Sequence, residues 1–160
     1  MDRAIEILKS ALEHEVRAEV FYAKAAVLTH NDESRMVFLE LSGMEDDHAR
    51  RLVNRCQPRA LAAGFDAAGF LGQLEADTEN LLTVEVNRLI REGEMADVLE
   101  FAIQQEEYAR DNYLTLAGLF DDAEVRAFCE ELSGYEQRHV DALRRLRASL
   151  DMEREERAGL

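Results

Sequence analysis

The chain has 160 residues, with 34 acidic against 19 basic side chains and a formal charge of −15. The length suits one domain, the 47% hydrophobic content can build a core, and the acidity argues against nucleic acid and anionic membranes as partners. No apolar run approaches the length of a membrane span, and the start of the chain passes straight into mixed-charge periodic sequence rather than a secretory leader. Cys56 and Cys129 stand apart without a CxxC pair, so neither a disulfide framework nor a rubredoxin-type or zinc-ribbon site is expected. A reducing, cytoplasmic setting is the expectation.

In chain order, apolar residues at three- and four-residue spacing predict helices over Asp2–Leu28 and Asp32–Arg55. The connection His30-Asn31-Asp32 offers a natural N-cap. The single proline, Pro58, then opens a different segment that holds Gly64, Gly69, Gly72 and Gly93 and a short helix within Thr78–Arg91. Two more long helices follow, Met95–Leu119 and Ala123–Glu155, joined through Asp121-Asp122. The reading is an all-α domain over residues 1–160: a first hairpin (1–56), a crossover (57–94) and a second hairpin (95–157), a four-helix bundle of two hairpins joined by a long crossover.

The two hairpins match each other at an offset of 91 residues. Between Glu15–Leu52 and Glu106–Leu143, 14 of 38 positions are identical, including Leu-Ser-Gly-x-Glu-x-x-His and Glu-x6-Tyr in both halves. Seven residues make nearly two turns, so Glu15 shares a face with Tyr22, and Glu106 with Tyr113. Glu45 and His48, like Glu136 and His139, lie one turn apart within apolar stripes. The midpoint of Glu15 and Glu45 is residue 30, and that of Glu106 and Glu136 is residue 121, both at the turns between helices. All four glutamates therefore stand about 15 residues, or roughly 22 Å, from a hairpin tip and can converge on one layer.

Burying an ionised carboxylate without a partner costs several kcal/mol, and these stripes hold no Lys or Arg. Two divalent cations would neutralise four glutamates. A Glu from each of two helices plus Glu-x-x-His from each of the other two is the ligand set of di-iron and di-manganese carboxylate bundles. The candidate ligands are Glu15, Glu45, His48, Glu106, Glu136 and His139, with Tyr22 and Tyr113 as partners of ligand carboxylates. Carboxylate with imidazole suits iron or manganese better than structural zinc. Glu19, one turn after Glu15, is an optional extra ligand; His14 and His30 read as incidental, and Cys129 as a small core residue. Ser42-Gly43 and Ser133-Gly134 read as sites of close helix approach, and Arg35, Glu40, Arg126 and Glu131 as surface charge pairs.

On these four motifs the chain resembles the di-iron domain of the rubrerythrin branch of the ferritin-like superfamily, over essentially its whole length. The resemblance implies a carboxylate-bridged pair of iron ions, with manganese or a mixed pair as options, oxidised by hydrogen peroxide or dioxygen and restored by an external electron donor. It implies an oxidoreductase of the peroxide-reductase type, with those six ligands as its catalytic residues. Two features depart from that family: the rubredoxin domain with its paired CxxC motifs is missing, and Ala109 stands where rubrerythrins carry a further glutamate. A ferroxidase or iron-handling role, an oxygenase, and metal binding without catalysis are the alternatives. The long crossover suggests a homodimer.

Overall fold

A computed structural model describes residues 3–159, and every regular element among them is helical. The elements are α1 (Arg3–Leu28), α2 (Asp32–Ala62), α3 (Ala67–Ala76), a 3-10 turn (Thr78–Asn80), α4 (Val84–Glu92), α5 (Met95–Ala117) and α6 (Ala123–Ala158). The start expected at Asp2 lies outside the described residues. No helix among them is long and apolar enough to cross a membrane.

Both long turns are built alike. Asn31 caps α2 by accepting from the Ser34 amide, and Asp122 caps α6 by accepting from the Glu124 and Val125 amides. Behind each cap an arginine spans the turn: Arg35 donates to the Thr29 carbonyl at 3.0 Å, and Arg126 to the Phe120 carbonyl at 3.1 Å. These pairs are related by the same 91-residue offset. The two arginines are therefore turn clamps, not partners of Glu40 and Glu131; Glu131 instead accepts from Tyr135.

Two apolar clusters fix the helix directions. One gathers Leu8 and Leu12 of α1, Leu52 and Cys56 of α2, Tyr113 and Leu116 of α5, and Phe128 and Leu132 of α6. The other gathers Phe21 and Ala25, Phe38 and Leu41, Leu99 and Ile103, and Val140 and Leu143 of the same helices. The start of α1 thus meets the end of α5, and the end of α2 meets the start of α6. Each hairpin is antiparallel, α1 runs antiparallel to α5, and the two hairpin tips lie at opposite ends.

Sequence and structure part company at Pro58. Proline cannot donate to the preceding turn, yet α2 continues through it to Ala62. Tertiary contacts hold this last stretch: Ala60 is buried, Arg59 reaches Asp122, and Gln57 bonds to both Asp66 and the Ala68 amide. Gly64, at φ +79°, ends the run in a conformation that a side chain would resist. The crossover then packs α3 on the first cluster through Ala67 and Leu71, and α4 on the second through Ile90. It therefore climbs the height of the molecule. Helix α5 stops at Ala117, and α6 runs to Ala158, past the expected Glu155.

Candidate metal centre

Between the two apolar clusters lies a layer of polar side chains, one carboxylate from each long helix. Glu15, Glu45, Glu106 and Glu136 have no measurable solvent exposure, and His48 and His139 are 4% and 3% exposed. The turns described above hold Glu15 level with Glu45 and Glu106 level with Glu136.

The layer resolves into two overlapping four-residue groups, beside a third of Glu45, His48 and His139, whose ligand atoms lie within 4.8 Å of one another. One is Glu15, Glu45, His48 and Glu136; the other is Glu106, Glu45, Glu136 and His139. Glu45 and Glu136 belong to both. His48 Nδ1 lies 3.2 Å from Glu136 and 3.6 Å from Glu15 and Glu45. His139 Nδ1 lies 2.9 Å from Glu45, 3.3 Å from Glu136 and 3.6 Å from Glu106. The two imidazole rings face each other with centroids 5.4 Å apart and planes within 14°. Every contact on one side thus has its counterpart 91 residues away.

Two tyrosines complete the layer, crosswise. Tyr22 donates its hydroxyl to Glu106, and Tyr113 donates to Glu15. A helical side chain leans toward the N-terminus of its own helix, so each tyrosine, two turns after its own glutamate, reaches back to the layer. Because α1 and α5 are antiparallel neighbours, it meets the glutamate of the other hairpin.

Six carboxylate oxygens and both Nδ1 atoms of this layer are buried without a hydrogen-bond partner. Such groups are costly to leave unpaired. Burial, then the charges on Glu45 and Glu136, push Glu15 well above the ordinary carboxylate range; Glu106 is raised well above it too, by burial and then by Glu45. Burial also opposes charge on Glu45, but its contacts with Glu15, His139 and His48 carry it well below that range. Glu136 is lowered by His139, His48 and Glu106 against burial and the charge of Glu45. Burial alone would lower His48, yet the carboxylates of Glu136, Glu15 and Glu45 push it up to about 12; His139 is raised in the same way by Glu106, Glu136 and Glu45. Without a metal, the layer would neutralise itself with protons on two imidazoles and on Glu15 and Glu106. Two divalent cations do the same for four carboxylates and two neutral imidazoles. The donor set fits such a pair: Glu15, Glu45, His48, Glu106, Glu136 and His139 would hold it, Glu45 and Glu136 being common to both four-residue groups.

The remaining candidates fall elsewhere. Glu19 is half-buried beside Asp46 and Arg50 and stands in neither ligand group. His30 is exposed at the turn, and Cys56 and Cys129 are buried free thiols. Ala109, only 2% exposed, packs in the first cluster and leaves no further carboxylate on α5 facing the layer. Gly43 and Gly134 do not serve close approach, because a Cβ at either would meet nothing within 4 Å. His14, set aside in the sequence, is only 7% exposed, and its Nε2 has no partner. Its spacing from Leu8, Leu12 and Tyr22 puts it off the main stripe, in a wall it shares with α5 and the crossover.

Two cavities approach the layer from opposite sides. One of about 820 Å³ lies between α2 and α6, with His48 and His139 in its wall and the Tyr135 ring tilted against His48 at a centroid distance of 5.2 Å. The other, of about 500 Å³, lies among α1, α5 and the crossover and reaches Tyr22 and Glu106. No protein-family model, curated protein or solved structure matches the chain.

Proposed function

We propose that this chain is a ferritin-like, rubrerythrin-related four-helix bundle that holds two metal ions, iron in the first instance, and reduces hydrogen peroxide or dioxygen. One observation carries the reading: two four-residue Glu/His groups that share Glu45 and Glu136, buried with no lysine or arginine to balance them. A bound iron pair supplies the two electrons that, with two protons, convert hydrogen peroxide to two waters. The protein's part is to keep four carboxylates and two imidazoles converged in a dry layer. Tyr22 and Tyr113 hold one oxygen each of Glu106 and Glu15, leaving the second oxygen of each for a metal. Cys56 and Cys129 are buried free thiols, and a separate reductant restores the ferrous state.

Metal analysis of protein purified without added iron, followed by anaerobic Fe(II) titration, tests the centre. Two metals per chain are expected, and a ratio near zero that Fe(II) does not restore overturns it. Stopped-flow oxidation of the ferrous protein then compares the oxidants. Faster reaction with peroxide than with dioxygen supports a peroxide reductase; the reverse favours the ferroxidase alternative, and equal slowness removes both.

A further inference from the structure

The cavity among α1, α5 and the crossover is where the two repeats stop matching. Three repeat-related pairs line it: Ser10 with Phe101, His14 with Gln105, and Arg17 with Tyr108. In the polar layer the equivalent positions are identical; here Ser10, His14 and Arg17 of α1 stand where α5 has Phe101, Gln105 and Tyr108. The crossover supplies the outer wall through Leu81, Leu82 and Val86. That wall is pinned: Thr83 caps α4, Asn87 bonds back to the Leu82 and Thr83 carbonyls, and Lys24 of α1 donates to Asn87 at 3.1 Å. The space is preformed rather than a loose flap.

Its chemistry narrows what can occupy it. At about 500 Å³ it falls in the range of small-molecule sites, and Phe21, Phe101 and the crossover residues make it mostly apolar. At its inner end the Tyr22 hydroxyl is already given to Glu106. The Arg17 guanidinium at the rim is paired with Glu13. Among the polar side chains that line the cavity, His14 is the one outside the Glu/His layer that is nine-tenths buried with an unpartnered atom, its Nε2. A polar group buried so deeply without a partner calls for one. We propose that this cavity binds a compact, uncharged aromatic molecule carrying one hydroxyl, a phenol, with its ring against Phe21 and Phe101 and its hydroxyl on His14. Binding itself is independent of the metal; that the molecule serves as an organic co-substrate next to Glu106 rests on the proposed metal centre.

The probe is 4-fluorophenol, followed by fluorine NMR on the full chain with and without Fe(II). It is expected to bind both forms, and fluorobenzene, which lacks the hydroxyl, at least 10-fold more weakly. Val86→Trp, which fills the cavity from the half-buried crossover wall, and His14→Phe should each weaken 4-fluorophenol binding at least 10-fold. Val37→Trp, in the opposite cavity between α2 and α6, should leave it unchanged. Absence of binding to the unaltered chain, retention in Val86→Trp, or loss in Val37→Trp overturns the site. Equal binding of fluorobenzene removes the role of His14. Circular dichroism of each variant separates loss of binding from loss of fold. A chain that binds 4-fluorophenol but holds no metal would retain this proposal and lose only the co-substrate role.

Discussion

Glu45 and Glu136 differ from the other four candidate ligands in belonging to both four-residue groups. Glu45→Ala should therefore abolish binding of both ions, whereas Glu15→Ala should leave one per chain, as counted by elemental analysis. Tyr113→Phe removes the hydrogen bond to Glu15 while preserving the ring that packs in the first cluster. A metal affinity about 10–100-fold weaker is expected, read by competition with a chelator, with little change in fold.

The same residues set a pH dependence. His48 titrates near 12 in the folded chain against about 6.5 unfolded, so its contribution to stability is full below about pH 6.5 and is lost as pH rises toward 12. Glu15 and Glu106, also raised, weaken the metal-free protein as pH climbs above about 4.5. Glu45 and Glu136, depressed, lose their contribution as pH falls below that value. Chelated protein should therefore be most stable near pH 4.5 and lose stability on either side of it, more steeply above about pH 6.5 where His48 adds to the loss. Metal needs deprotonated ligands, so the gain in Tm from metal should be larger at pH 9 than at pH 6. A calorimetric gap that stays constant between those pH values would contradict the proton count of the layer.

Helices α2 and α6 each carry a glycine next to the serine of the repeated block, with open space where a Cβ would stand. Glycine inside a helix costs roughly 0.5–1 kcal/mol relative to alanine. Gly43→Ala and Gly134→Ala should each stabilise the chain by about that amount in urea unfolding. Gly93→Ala should not, since its Cβ would lie 2.5 Å from the Leu89 carbonyl oxygen. The long helices and their turns are legible in the sequence because periodicity, caps and the 91-residue repeat all point to the same boundaries. The six-ligand convergence is legible for the same reason, being a matter of distance from a turn. What lies beyond is decided by contacts between distant segments: α2 running through Pro58, α3 folding against the first cluster, and His14 becoming buried. No local pattern around Pro58 announces the grip of Gln57 on Asp66, or of Arg59 on Asp122.

For the whole molecule, the polar layer separates two apolar clusters that each draw on all four long helices. Chelation should lower Tm and broaden the calorimetric transition, because the layer would then join the two clusters only through proton-shared carboxylates. An unchanged Tm after chelation would indicate a helical protein whose layer serves no metal. Size-exclusion chromatography distinguishes the homodimer suggested by the crossover from the large shell of an iron-storage protein.

Neither hairpin owns a complete site. The first gives Glu15, Glu45 and His48 to one group and only Glu45 to the other, and the second hairpin does the reverse. The residues between Gln57 and Glu94 are thus a tether as much as a connection. They raise the local concentration of one half-site at the other, and an assembly that two separate chains could form only by meeting becomes an intramolecular event. A pair of identical hairpins facing each other across a twofold axis would supply the same six ligands. The repeat thus reads as two like half-sites joined in one chain, identical at the six residues of the polar layer and different beside it, where Ser10, His14 and Arg17 correspond to Phe101, Gln105 and Tyr108.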